Sequence, residues 1–205
     1  MLRASNLACT RGGRRLFSDL SFELAAGALV QVRGANGSGK TSLLRIVCGL
    51  LAPDAGALSW NGRDIRESGE DYRALLAYVG HANAVKDELD PAENLRYAAR
   101  IAGYSSTAIE LNQALDAFGL KDARLPCKLL SQGQKRRAAL ARLKLSPGRP
   151  LWVLDEPFSA LDVAGVAVTR ALLEEQLGRG GAVLFTTHQE VEFPGCSLQR
   201  IEFSP

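Results

Sequence analysis

Gly34-Ala35-Asn36-Gly37-Ser38-Gly39-Lys40-Thr41 is the stretch whose reading decides the fold. It fits the phosphate-loop pattern G-x-x-x-x-G-K-[ST] at every fixed position. The residues before it, Ala28 to Val32, read as a buried strand, and Thr41 to Val47 read as a helix. That strand–loop–helix context is what the motif requires. Gly34, Gly37 and Gly39 let the backbone curl, so that the N–H groups of this loop, Ala35, Asn36 and Ser38 included, turn inward towards phosphate oxygens. The helix that follows presents its electropositive N-terminus to the same place. The expected ligand is a nucleoside triphosphate with Mg²⁺: Lys40 reaches the β- and γ-phosphates and the Thr41 hydroxyl ligates the metal. A glycine-rich turn with an incidental lysine is the plainer alternative, and the flanking strand and helix argue against it.

Working outward, 205 residues suggest one domain with room for an inserted subdomain, and 46% apolar residues suffice for a sizeable core. A net charge of +3 demands neither nucleic acid nor a membrane surface as partner. No apolar run approaches the ~18 residues of a membrane span, and Met1 to Asn6 lack the apolar core of a signal peptide. Cys9, Cys48, Cys127 and Cys196 are scattered, form no C-x-x-C pair, and are expected as reduced thiols of a cytosolic protein.

The first ~25 residues alternate polar and apolar and read as antiparallel β structure, with Arg11 to Arg15 as a solvated hairpin loop. Pro53 to Gly56 and Asn61-Gly62 read as turns around a strand at Leu58 to Trp60, and Leu75 to Val79 as a short strand. From Pro91 to about Leu120 the pattern is helical. Leu95, Ala98, Ala99 and Ala102 share one face, and Ile109, Leu111, Leu115 and Phe118 mark a second helix. Leu151 to Leu154 and Ala182 to Thr187 are continuous apolar strands of the buried parallel type. Between them Val166, Arg170, Leu173 and Leu177 line one face of a helix that Gly178, Gly180 and Gly181 end.

The strand from Leu151 ends in two carboxylates, Asp155 and Glu156. Ligands of parallel sheets sit beyond the C-terminal strand ends, so both are expected at the phosphate loop. Asp155 is placed to hold Mg²⁺, and Glu156 is the candidate general base for an attacking water. A third motif is Leu130-Ser131-Gln132-Gly133-Gln134, in which Ser131 is a good helix N-cap and Gln134 to Leu145 reads as a strong helix. Here the chain resembles the ATP-binding-cassette (ABC) ATPases, whose signature is usually L-S-G-G-Q. Ser131, Gly133 and Gln134 match, and Gln132 replaces a glycine. Ser159-Ala160-Leu161-Asp162 resembles the family's D-loop, and Thr186-Thr187-His188 its switch histidine.

That resemblance implies an α/β fold: a P-loop NTPase with a RecA-like parallel-sheet core (residues 1–83 and 146–205), an N-terminal antiparallel β subdomain, and an inserted α-helical subdomain (residues 84–145) carrying the signature. It also implies an ATPase acting as an ATP-bound head-to-tail homodimer. Ser131, Gly133 and Gln134 of one subunit would meet the nucleotide held by the other, with Asp162 and Thr187 beside it, and His188 would contact the γ-phosphate and Glu156. Two positions depart from the pattern. His81 stands where the family has a glutamine that senses Mg²⁺; an imidazole can replace an amide as donor or acceptor. Arg11 stands where an aromatic usually stacks on adenine; its planar guanidinium can stack instead, and Phe17 is the other choice.

Within the family, Leu16 to Phe22, the Gly80-His81 pair and Asp155 to Val166 are similar to the ATP-binding subunits of the haem exporter of cytochrome c maturation. That similarity implies haem delivery driven by ATP, integral membrane partners, and a peripheral position on the cytoplasmic face of the bacterial inner membrane. The alternatives are the motor for another cargo, and a soluble cassette ATPase acting on nucleic acid or ribosomes. The latter class usually carries two cassettes or a long arm, so no nucleic-acid partner is expected.

Overall fold

The computed structural model describes residues 1–121, 123–146 and 148–203. They divide into two compact units.

The first unit comprises residues 1–78, 149–155 and 174–205, of which the last two lie outside the described residues. It holds both sheets. Strands β1 (Leu2–Arg11) and β2 (Arg14–Leu24) form an antiparallel hairpin about Gly12 and Gly13, with φ of 57° and 76°. Two successive left-handed residues give the twist that two-residue hairpins favour. β1 also pairs with β4 (Ala55–Trp60), and β5 (Arg63–Asp64) follows through Asn61-Gly62, giving a sheet of order β2-β1-β4-β5. Gly56, expected in a turn, instead lies inside β4. A Cβ there would sit 2.4 Å from the carbonyl oxygens of Ser5 and Asn6. The register between β1 and β4 shifts between Ser5 and Ala8, so the glycine marks a bulge.

The second sheet has the order β6-β7-β8-β3-β9, from β3 (Leu29–Arg33), β6 (Leu76–Val79), β7 (Leu151–Asp155), β8 (Ala182–Thr186) and β9 (Leu198–Glu202). β7, β8, β3 and β9 run parallel. Every residue of β7 and β8 is buried, as their unbroken apolar runs require. Helix α1 (Lys40–Val47) packs on β7 and β8 through Leu43, Leu44, Ile46 and Val47. Helix α2 (Ile65–Ala74) and strand β9 carry too few apolar residues to announce themselves in the sequence. α2 is also kinked at Gly69 (φ 40°, ψ −105°).

The second unit comprises residues 79–148 and 156–173. α3 (Pro91–Ile101), α4 (Ala108–Ala117) and α5 (Gln132–Ala141) pack together. Asp90 with Glu93, and Thr107 with Glu110, form capping boxes that start α3 and α4. Leu95, Ala99, Leu111, Leu115 and Phe118 are buried as read; Ile109 is not, at 69% exposed. α5 ends at Ala141 and tightens into a 3₁₀ turn over Arg142–Leu145, so the expected long helix is shorter. α6 (Val163–Gly178) begins in this unit and ends in the first. Its buried positions are Gly165, Thr169, Leu172, Leu173 and Gln176; of the expected face Leu173 is buried, whereas Val166, Arg170 and Leu177 are half-buried. The Thr169 hydroxyl donates to the Gly165 carbonyl at 2.8 Å, which lets a polar side chain lie inward.

All four cysteines are free; Cys9, Cys48 and Cys127 are buried and Cys196 is half-buried. Burial pushes the Cys48 thiol up to about 12, and raises Cys9 and Cys127 as well. Since the thiolate is the nucleophile, brief maleimide treatment of native protein at neutral pH is expected to label Cys196 alone. Denatured protein should label at all four, as peptide mass spectrometry would read out; rapid native labelling of Cys48 would contradict this packing.

Candidate functional site

Three parallel strands bring the first unit's motifs to one edge. β3, β8 and β7 are neighbours in that sheet, so the segments that follow them leave from the same side. The loop after β3 is Gly34 to Gly39, and Gly39 (φ 110°) starts α1. Its curl is sterically enforced. A Cβ on Gly34 would lie 2.6 Å from Ser38 Oγ and 2.9 Å from Phe203 Cβ. One on Gly39 would lie 3.0 Å from Leu16 Cβ. Lys40 Nζ sits within the curl and donates to the carbonyls of Gly34 (2.8 Å) and Ala35 (3.1 Å). Ser38 Oγ is buried with no hydrogen-bond partner among the described residues. A buried hydroxyl without a partner is costly; here it lies in a loop whose N–H groups converge, which suits a bound anion.

Asp155, at the end of β7, is 2% exposed. Its Oδ2 accepts from Thr41 Oγ1 at 2.8 Å, and its Oδ1 from Thr186 Oγ1, on the intervening strand β8, at 2.7 Å. One carboxylate thus joins the start of α1 to the end of β8. Thr41 and Asp155 present hard oxygens side by side, the donor type Mg²⁺ takes in combination with phosphates. Among the described residues no three His, Cys, Asp or Glu side chains cluster as a metal site. Thr187 is buried, its Oγ1 accepting from Gln189 N at 3.1 Å, and His188 beside it is exposed. Arg11 is exposed and donates to the Thr10 carbonyl at 3.0 Å. Phe17 is only 8% exposed and stacks on Phe203 with ring centroids 5.1 Å apart and planes 9° from parallel. It is a core aromatic, which removes it as the adenine platform.

The second unit holds the signature. Ser131 caps α5: its Oγ accepts from Gln134 N (3.2 Å), and Gln134 Oε1 accepts from Ser131 N (2.9 Å). This reciprocal box explains serine and glutamine at that spacing. Gly133 faces the loop 156–162. A Cβ on Gly133 would stand 2.7 Å from the Ala160 carbonyl oxygen, a backbone atom. In that loop Glu156 and Ala160 both have left-handed backbone, with φ of 53° and 60°, a conformation that costs a residue with a Cβ about 1–2 kcal/mol. Asp162 accepts from Gly165 N at 2.9 Å and from Arg137. The Gly165 N–H, and after it the Arg137 guanidinium, hold the Asp162 carboxyl below the usual carboxylate range. His81 lies in the exposed segment after β6. Arg136, which the sequence reading did not single out, is 3% exposed and donates to the carbonyls of Gly80 and Glu156. Only its place in a charged run beside the signature marks it in the sequence.

The chain matches the family described as ABC transporter over residues 17–159. It is 50% identical to the cytochrome c biogenesis ATP-binding export protein CcmA of Dechloromonas aromatica, over 98% of each chain. It is 51% identical to the protein of that name from Nitrosomonas europaea, over 100% of this chain and 96% of the relative. Among solved structures, an ATP-binding subunit of an ABC transporter superimposes with a TM-score of 0.80 at 28% identity, covering 92% of this chain and 79% of that one. A dimeric post-hydrolysis cassette bound to ADP and Pi, at 21% identity, superimposes with a TM-score of 0.76 over 92% of this chain and 88% of that one, and shares the fold.

The Gly133 contact is testable by itself. Gly133→Ala should destabilise the protein by about 1–3 kcal/mol, the range for an overpacked site, and lower its thermal midpoint. An unchanged midpoint would mean that the loop yields freely.

Proposed function

The chain belongs to the ABC transporter family of ATP-binding subunits, and from that premise we propose that it is the ATP-hydrolysing motor of a membrane export complex in cytochrome c biogenesis, with haem as the cargo whose delivery it drives. The observation that carries the enzymatic part is the Asp155 carboxylate, buried between the Thr41 and Thr186 hydroxyls beside the loop that encloses Lys40. The part concerning cytochrome c rests on full-length relatives at about half identity that bear that name.

In this reading the loop Gly34 to Gly39 and Lys40 bind the triphosphate, with Lys40 exchanging the loop carbonyls for β- and γ-phosphate oxygens. Thr41 and Asp155 hold Mg²⁺, which when bound neutralises phosphate charge. Glu156 accepts a proton from water as the water oxygen bonds to the γ-phosphorus and the bond to the β–γ bridging oxygen breaks, releasing ADP. His188 and Thr187 flank the γ-phosphate, and His81 would be a further contact to the metal. The sandwich dimer brings Ser131, Gly133, Gln134 and Asp162 of the second subunit to the nucleotide, and Arg11 lies against adenine. The helical insert, residues 84–145, presents the signature, and the core is 1–83 with 146–205. Among the described residues no helix is long and apolar enough to cross a membrane. By its likeness to the export-protein relatives, the reading has the chain as a peripheral subunit on integral membrane partners at the cytoplasmic face of the inner membrane, without nucleic acid.

Glu156→Gln should retain ATP binding and lose roughly 10²–10⁴-fold in turnover, as removal of a general base does. ATPase assay with parallel nucleotide-binding measurements checks this, and undiminished turnover would remove Glu156 from the role. Tagged protein drawn from native membranes should bring integral membrane proteins of cytochrome c maturation with it, identified by mass spectrometry. Another permease in their place would keep the motor and discard haem, whereas ribosomes without a membrane partner would overturn the transport reading.

A further inference from the structure

Arg136 sits two residues beyond the signature glutamine on α5 and is 3% exposed. Burying a guanidinium costs free energy that acceptors for its N–H groups offset, and both terminal nitrogens of Arg136 find them. One terminal nitrogen donates to the Gly80 carbonyl (2.9 Å) and to Asn83 Oδ1 (3.2 Å); the other donates to the Glu156 carbonyl (2.8 Å). All four residues lie in the second unit. The third contact falls on a residue whose backbone is left-handed. Non-glycine residues hold that conformation when surrounding contacts fix it, and a charge-assisted hydrogen bond to its own carbonyl is such a contact. Further along the loop Gly133 lies under the Ala160 carbonyl and Arg137 holds Asp162. The first turns of α5 therefore grip both ends of the segment 156–162.

We propose that Arg136 is the positioning residue for Glu156: through the planar fork of its guanidinium it fixes the backbone from which the base projects, and it ties that backbone to the Gly80–Asn83 segment carrying His81. The inference rests on Glu156 being the general base. Arg136 touches no substrate in this scheme and acts only through Glu156. Lysine cannot replace it, because a single ammonium on a flexible stem does not span acceptors on both sides of a rigid fork.

The test is a double-mutant cycle on the full-length chain in its native membranes, reading ATPase against MgATP concentration. Arg136→Lys should lower kcat roughly 10- to 100-fold, the scale of a misplaced catalytic group, while KM stays within about threefold. In the Glu156→Gln background the same substitution should lower turnover by less than about twofold, because the group it positions is already gone. Asn83→Ala, at a half-buried loop residue, should cause a smaller kcat loss with the same dependence on Glu156, and it serves where Arg136→Lys fails to fold. A full-sized effect of Arg136→Lys or Asn83→Ala in the Glu156→Gln background, or a loss confined to KM, would overturn the assignment. Undiminished turnover of Glu156→Gln alone would instead remove the base itself, and the positioning role with it.

Discussion

The Asp155 carboxylate is the constraint on which the first unit's chemistry depends. A charge that is 2% exposed would be expelled from an apolar sheet unless both oxygens were engaged. They are engaged by hydroxyls from the two neighbouring structural lines, Thr41 at the start of α1 and Thr186 on β8. This fixes the helix that follows the phosphate loop against β7, the strand two places from β3. The loop's inward curl beside the buried Ser38 hydroxyl and Lys40 is kept by Gly34, where a Cβ would collide with Ser38 and Phe203, and by the positive φ of Gly34, Gly37 and Gly39.

In the second unit the dependence runs through α5. The helix begins with a side chain–backbone box between Ser131 and Gln134, so its first turn is closed by its own residues. Next comes a half-buried glycine kept small by the Ala160 carbonyl, and then the buried Arg136 and half-buried Arg137, which hold Glu156 and Asp162. One stretch of seven residues, from Ser131 to Arg137, thus works both as a helix start and as the mould for a neighbouring loop.

Much of this was legible in the chain. The phosphate loop was readable because the steric need for glycine leaves a fixed spacing, and the strand before it and helix after it differ in period. The cap at Ser131 was readable because it is a local, sequence-adjacent interaction. What escaped depends on partners distant in sequence. Gly56 looks like a turn residue until Asn6 is set against it across the sheet. Phe17 looks available until Phe203 stacks on it. The inward face of α6 is offset because Thr169 satisfies its hydroxyl on its own helix, an option hydrophobic periodicity does not weigh. Arg136 looks like one more solvated charge beside Lys135 and Arg137, and only the folded chain shows that it is the buried one.

The left-handed backbone at Glu156 also governs which sequences are reachable by drift. Single-base changes from a glutamate codon lead to glycine, alanine, valine, aspartate, glutamine and lysine. Valine is disfavoured by its branched Cβ at positive φ, whereas glycine is at ease there. Glycine at 156 would make a more comfortable chain without the proposed base. Holding glutamate at 156 therefore carries a conformational cost that glycine would remove, so a Glu156→Gly change is expected to spare the fold and the protein's abundance.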